Sequence, residues 1–482
     1  MASSRHRRLV ALVLALMLVV PLVIALVTVA NPNRPSSAEP SDRPSAANPA
    51  CRTAPGYVTS AVQRYVDRFA ARTGFEGRNL PAPPRVAELR REFDQVRRQV
   101  ESAGCDLTAF RSSLRTSLAD VRADGPLATA VSGLLRSASL RALGGAPAPA
   151  VATLGAGEDL AAAVAQAPLG GTLRLAAGTY TLDQPLYVLQ DLTLQGAGRG
   201  RTTVVSTAAG GGIVMPLPAQ LRLDRLALEH RGAASASVLM VWAGRATLAA
   251  VQVSGGSTPT PAGDRAQALG GGAGSGVLVA RDGSVRMRGV ALDDNDVAGL
   301  LAGDHATVDV RGSSFADNGL CGICATGQSR GLVQGSTLSG SPVGVYVGQR
   351  ARPTLRANMV RDNGEVGIAV QEAARPVIVG NEVSDSDAIG IGVYATSRPR
   401  IVDNTVTGSG KAGLVLSTGS SARAHVERNR LADNASGDIV VAGQGRHDLR
   451  GNHCSSALQL LLVDGASPTL SGNACEVRRV AR

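Results

Sequence analysis

The sequence predicts an all-β solenoid, a parallel β-helix with about 23 residues per coil, behind a small α-helical bundle and an N-terminal membrane or signal helix. Three observations carry this. First, the glycines Gly276, Gly299, Gly322, Gly344, Gly367, Gly390, Gly413 and Gly437 are spaced 23, 23, 22, 23, 23, 23 and 24 apart, a period that marks stacked supersecondary units. Second, 57 glycines with 44% hydrophobic and only 2% aromatic residues suit a chain of many permissive turns. Third, 482 residues exceed what one ordinary core accommodates, whereas a linear core grows without limit.

The N-terminus sets the compartment. Arg5, Arg7 and Arg8 precede an uncharged apolar run from Leu9 to Ala30, long enough to span a bilayer and oriented by its arginines. Residues 1–30 are therefore expected to be a signal-anchor, or a signal peptide cleaved after Thr28-Val29-Ala30. In both cases the remainder lies outside the cytoplasm, as a single-pass membrane protein or a secreted one. Residues 31–50, rich in Pro, Ser and Ala, read as a disordered linker.

Residues 51–145 change to helical periodicity. Val58, Val62, Tyr65 and Phe69 share one face, as do Val86, Leu89, Phe93, Val96 and Val100. Leu107, Phe110, Leu114, Leu118 and Val121 form a third face, and Leu127, Val131 and Leu134 a fourth. Pro84, Asp106 and Pro126 suit helix starts. Cys51 and Cys105 are expected to staple the first helix to the second loop. No catalytic constellation occurs in this module.

From residue 150 to 482 the period-23 pattern governs. After the first seven glycines, aliphatics recur at the first position (Val277, Leu300, Ile323, Val345, Ile368, Ile391, Leu414) and at the third, a period of two that turns them inward. A second register is anchored on Asn358, Asn381, Asn404, Asn429, Asn452 and Asn473, and continues back through Ser336 and Ser313. An aliphatic stands three residues before each asparagine and an apolar residue two after, giving several short strands per coil and about eleven coils. The asparagines are expected to form hydrogen-bond ladders rather than a ligand set.

The opening of this region is also legible. Asp159 to Gln166 reads as a short amphipathic helix, followed by Gly170-Gly171-Thr172-Leu173-Arg174-Leu175 and then Leu192-Thr193-Leu194-Gln195-Gly196-Ala197-Gly198. This run resembles the opening coil of the pectate-lyase-like superfamily. The later coils are similar to the right-handed parallel β-helix repeats of carbohydrate-binding proteins and sugar hydrolases. The resemblance covers residues 157 to about 480 and specifies fold far better than activity. It implies polysaccharide lyases, hydrolases, epimerases or binding proteins, but their motifs do not carry over intact. His305 sits in Gly303-Asp304-His305-Ala306 rather than Gly-His-Gly, and both Arg-x-Lys and Asp-Pro-His-Asp are absent. What the resemblance leaves for an enzyme is a set of acids, Asp293, Asp294, Asp296 and Asp317, as catalytic candidates. Calcium on Asp293, Asp294 and Asp296 is the candidate cofactor, with an arginine as the basic partner.

Two ladders of charge follow from the register. Arg330, Arg352, Arg375, Arg398, Arg423 and Arg446 each lie six residues before an asparagine anchor or its serine equivalent. With coils about 4.8 Å apart they would make a stripe roughly 24 Å long. Arginine grips carboxylate and phosphate bidentately, so the stripe is the candidate binding site for an anionic polysaccharide or cell-envelope polymer; the alternative is solvated arginines or pairing with neighbours such as Glu372. Asp294, Asp317, Asp362 and Asp385, with Asp433 one position off, form the second ladder; beside asparagine they read first as turn residues. The solenoid is nearly neutral, 29 basic against 27 acidic residues, and residues 51–145 carry 15 arginines against 9 acids. With so few aromatics, a nucleic-acid partner is not expected.

Four further features complete the expectations. Cys454 and Cys475 occupy one stack position on adjacent coils and should be bonded. Strict alternation puts Cys321 inward and Cys324 outward, so the pair should share no metal or redox role unless the strand bulges. Ser254 to Gly274 interrupts the period, making Asp264 and Arg265 loop candidates. Trp242, the sole tryptophan, is either a sugar platform or packing, packing being the ordinary case.

Overall fold

The computed structural model describes residues 48–70, 95–142, 151–167, 170–216, 218–259, 272–463 and 465–480. The expected signal-anchor, most of the linker, Val86, Leu89, Phe93, Asp264 and Arg265 lie outside the described residues. Among the described residues no helix is long and apolar enough to cross a membrane.

The chain forms two compact units. Of the described residues, the first comprises those up to Arg174 with Leu186–Leu194, Pro218 and Ala219. It holds helices α1 (Pro49–Ala70), α2 (Leu107–Ala119), α3 (Pro126–Ala142) and α4 (Leu160–Gln166), with residues 95–102 also helical. Asp106 starts α2 by accepting the Thr108 and Ala109 amides, and Asp159 starts α4 through the Ala162 amide, each satisfying donors that a helix start leaves open. Val58, Val62, Tyr65, Val96, Val100, Phe110, Leu114, Leu118, Val121, Val131 and Leu134 are buried, the faces that periodicity selects. The Cys51–Cys105 disulfide is present.

The second unit is the solenoid. Every coil passes through three sheets in turn, here named A (such as Arg330–Gln334), B (Thr337–Ser339) and C (Val343–Val347). Strand pairs between successive coils are parallel, as in Arg330 on Arg352, Thr337 on Met359 and Ile323 on Val345. The sheets of the chain contain 14, 12 and 13 strands respectively, about 13 turns rather than eleven. The opening strands, Gly171–Leu175 and Gln220–Asp224 among them, lack the asparagine and glycine anchors by which coils are counted.

Stacks of like residues fill the interior. Val277, Leu300, Ile323, Val345, Ile368, Ile391 and Leu414 are all at most 2% exposed. At the A-to-B turn each asparagine donates from Nδ2 to Oδ1 of the next, at 2.9 Å, from Asn358 through Asn381, Asn404, Asn429 and Asn452 to Asn473. The same oxygens accept the backbone amides of the preceding asparagines, so buried turn groups are satisfied by an internal ladder.

The glycine column has a steric origin. A Cβ on Gly276, Gly299, Gly322, Gly344, Gly367 or Gly390 would lie 2.6–2.9 Å from the carbonyl oxygen of the next glycine. Gly322 and Ile323 both face inward, since a side chain at Gly322 would meet Leu338 and Phe315. The strand therefore bulges, which corrects the alternation expected of its cysteines. Cys321 and Cys324 both face outward, both are fully buried in a cluster with Leu278, Ala298 and Leu301, and they form a disulfide. The eighth glycine, Gly437, is also displaced: it pairs with Ala412, and Asp438 takes the glycine column.

Candidate functional site

Sheet A turns alternate residues to solvent, and register converts sequence spacing into columns. Arg330 pairs with Arg352, and the backbone amides of Arg352, Arg375, Arg398, Arg423 and Arg446 bond to the residue before the preceding column member, continuing one file. All six side chains are exposed. Among the described residues none forms an ion pair with a carboxylate, Glu372 included, whereas neighbouring arginines do. Arg286, Arg288 and Arg311 surround Asp309 at 3.3, 2.9 and 2.9 Å. Hydrogen bonds from Arg288 chiefly, then Arg311, hold that carboxyl below the ordinary carboxylate range. Further along, Asp403, Glu427 and Asp448 pair with Arg428, His425 and Arg450.

Counting the outward positions of sheet A from the strand Gln220–Asp224 to Thr469–Ser471, with the file arginines, gives fourteen arginines against Asp224, Asp309, Glu427 and Asp448. That face thus carries a net charge of +10 in a solenoid of net +2. Between its two ion-paired clusters the second outward column is uncharged, with Leu332, Thr354 and Val377 side by side and half-buried.

Beside the arginine file the C-to-A turn opens a shallow hollow of about 350 Å³, lined by Gly327, Gln328, Gln349, Arg350, Glu372, Ala373 and Thr396. Gln328, Arg350, Ala373 and Thr396 each precede a file arginine by two residues, so hollow and file run together over four coils. Gln349 is held by accepting the Gly327 amide at 2.7 Å. Sequence spacing located the file but not the hollow, because the hollow depends on how the turn folds back.

The acidic ladder is a turn ladder. Asp294, Asp317, Asp362, Asp385 and Asp433 have φ between 52° and 58°, the left-handed conformation that aspartate tolerates. Among the described residues no three His, Cys, Asp or Glu side chains are grouped to hold a metal. The calcium site expected on Asp293, Asp294 and Asp296 is thus not assembled. Asp296 accepts the Thr258 amide at 2.9 Å, Asp293 accepts from Gln252 at 3.1 Å, and Asp294 occupies the turn. Asp293 is the unusual member: its Oδ1 is buried without a partner. Burial, then the charges of Asp294 and Asp317, raise its pKa against the Gln252 hydrogen bond and the pull of Arg199.

Two residues settle as packing. Trp242 is 7% exposed, with the Arg281 guanidinium 5.0 Å from its ring centre. Asp438, which the sequence register passed over, is fully buried and accepts from Asn434 Nδ2, the Ser455 and Ser456 amides and the Ser456 hydroxyl. Cys454 and Cys475 are bonded on adjacent coils, as their stack positions require.

Residues 275–431 match the family model described as a right handed beta helix region. No curated protein shows a significant match to the chain. Among solved structures the chain is similar to the catalytic unit of a GH87 α-1,3-glucanase from Streptomyces thermodiastaticus, at 14% identity and a TM-score of 0.49, over 63% of this chain and 63% of that one. It therefore spans less than two thirds of the glucanase unit. The A-module of mannuronan C-5 epimerase AlgE6 from Azotobacter vinelandii aligns at 16% identity over 65% of this chain and 87% of that one, with a TM-score of 0.44. The periplasmic alginate epimerase AlgG aligns at 12% identity over 69% and 79%, with a TM-score of 0.40. At such identities the similarity is one of fold.

Proposed function

We propose that this protein binds an anionic polysaccharide or cell-envelope polymer along sheet A, on the outer side of a membrane to which its N-terminal segment tethers it. The observation that carries the proposal is the net +10 face whose six file arginines have no carboxylate partner among the described residues. Like charges stacked at the strand spacing repel one another, and a polyanion laid along the file relieves that repulsion while offering groups that guanidinium holds bidentately. The membrane tether rests on the arginines and the apolar run of residues 1–30.

Replacing Arg352 and Arg375 together by alanine is expected to weaken retention on acidic polysaccharide gels by at least about tenfold, each guanidinium–anion contact contributing roughly 1 kcal/mol. Retention equal to that of the wild type would sink the proposal. A second reading, polysaccharide cleavage, is supported by Asp293, whose raised pKa and unpartnered buried oxygen suit a general acid. Release of reducing or unsaturated ends from the same polysaccharides by the intact chain separates the two readings.

A further inference from the structure

On the outward face of sheet C, next to the hollow, stand Tyr346 and Tyr394, two of only twelve aromatic residues in the chain. Their strand neighbours Val345, Val347 and Val393 fill the interior, so both phenols project outward, half-buried. Each phenol lies across a glycine two positions away along the chain, Gly348 just past the end of the Tyr346 strand and Gly392 within that of Tyr394. A Cβ on Gly348 would lie 2.6 Å from the Tyr346 hydroxyl and 2.7 Å from its ring, and one on Gly392 would lie 2.6 and 2.7 Å from those of Tyr394. No other residue type leaves the rings room to lie there.

The register aligns the two rings. Tyr346 pairs with Ala369 and Ala369 with Gly392. The Tyr346 ring reaches forward to Gly348 and the Tyr394 ring back to Gly392, so the two rings cover the same stretch of sheet from opposite ends, two coils and about 9.6 Å apart along the axis, with their hydroxyls offset in opposite directions. The coil between presents the small Ala369. Tyr346 is steadied by packing on the cluster around Cys321 and Cys324. Burial above all, and for Tyr346 also the Glu372 carboxylate, raises both hydroxyl pKa values, so the phenols stay neutral donors. Among the described residues neither hydroxyl has a hydrogen-bond partner. Gly348 leads directly into Gln349 and Arg350 of the hollow, with the arginine file on the hollow's other side.

We infer that Tyr346 and Tyr394 form a stacking platform for alternate pyranose rings of the bound polymer, whose acidic groups face the arginine file. The inference rests on the binding reading above and narrows it. A chain of sugar rings with a two-ring repeat fits rings two coils apart, whereas a polyol-phosphate chain has no ring face to stack. Tyrosine suits the task because it offers an apolar face and a polar tip together.

The test uses the full chain in nonionic-detergent micelles and affinity electrophoresis through gels containing polygalacturonate, alginate or hyaluronan, with polyphosphate as a charge-only probe. Tyr346→Ala and Tyr394→Ala are each expected to weaken binding to the acidic glycan about tenfold, a loss of the size found when stacking aromatics are truncated, and to leave polyphosphate binding unchanged. Tyr394→Phe should keep most of the binding, and Gly392→Ala, which displaces the ring, should behave as Tyr394→Ala does. Thermal unfolding of every variant checks the fold, and Tyr346→Leu or Tyr394→Leu, which keeps apolar volume without a ring face, takes the place of an alanine variant that fails to fold. Glycan binding that ignores both tyrosines yet is lost with Arg352 and Arg375 overturns the platform and leaves the binding reading standing. Binding lost with the tyrosines but indifferent to the arginines removes the charge reading and keeps the platform. No retardation by any glycan overturns both.

Discussion

Buried polar residues in this solenoid hold their places by donor and acceptor geometry, and His447 shows what that implies for pH. It is 2% exposed, its Nδ1 accepts the Ala424 amide at 3.1 Å and its Nε2 meets the Thr418 hydroxyl at 2.8 Å. A Cβ on Gly445 would lie 2.2 Å from Nε2, so the ring has no room to turn away. Burial pulls its pKa down to about 4, because a charged ring would lose both solvation and its acceptor role. The unfolded chain takes up the proton near 6.5, so between those values unfolding is coupled to proton binding. Stability is complete above about pH 6.5 and is lost as pH falls toward 4, by up to roughly 3 kcal/mol. Denaturation across that range should show the slope in the wild type and a flatter profile in His447→Gln, which keeps an acceptor but no titratable ring. An unchanged slope would mean that other groups set the acid response.

Among elements, the bulged strand of sheet C departs most from simple alternation, and its cost falls on glycine. At Gly367 a methyl group would lie 2.7 Å from the Gly390 oxygen and 2.7 Å from Val383, whereas at Gly364 the nearest atom is 3.7 Å away. Gly367→Ala is therefore expected to destabilise by about 1–3 kcal/mol through overpacking, and Gly364→Ala by much less, as read from denaturant midpoints. The same bulge explains which parts of the site were legible. The inward aliphatics, the asparagine ladder and the arginine file repeat at fixed distances, so sequence spacing alone aligns them. Cys321 was misplaced because Gly322 and Ile323 share one face, breaking the period of two. Asp438 is not legible from the glycine spacing because the coil here has 25 residues, with Ala412 opposite Gly437, which moves Gly437 one place out of the column. Tyr346 and Tyr394 are not in one column; only the way each ring lies over its glycine brings them into line.

At the scale of the whole molecule, the core is a row of coils, each packed on its two neighbours, so a disturbance should stay local. The end of the row is its weak point. The strand Val477–Val480 is exposed at every residue and Thr469–Ser471 at two of three, and among the described residues each pairs with a coil on one side only. The Cys454–Cys475 bridge ties these last turns together across 21 residues, closing a loop short enough that the constraint on the unfolded chain is worth about 3 kcal/mol. Replacing both cysteines by serine removes that constraint where the neighbouring contacts are fewest. Hydrogen exchange should then quicken in residues 448–480 and stay as in the wild type from Gly276 to Leu416, where coils are supported on both faces. The arginine file stops at Arg446, just before the loosened turns, so polymer binding should fall only as far as Arg446 and, to a lesser degree, Arg423 contribute. Exchange that quickens evenly along the solenoid would show instead that its coils unfold as one cooperative block, and the end bridge would then stabilise the entire binding face.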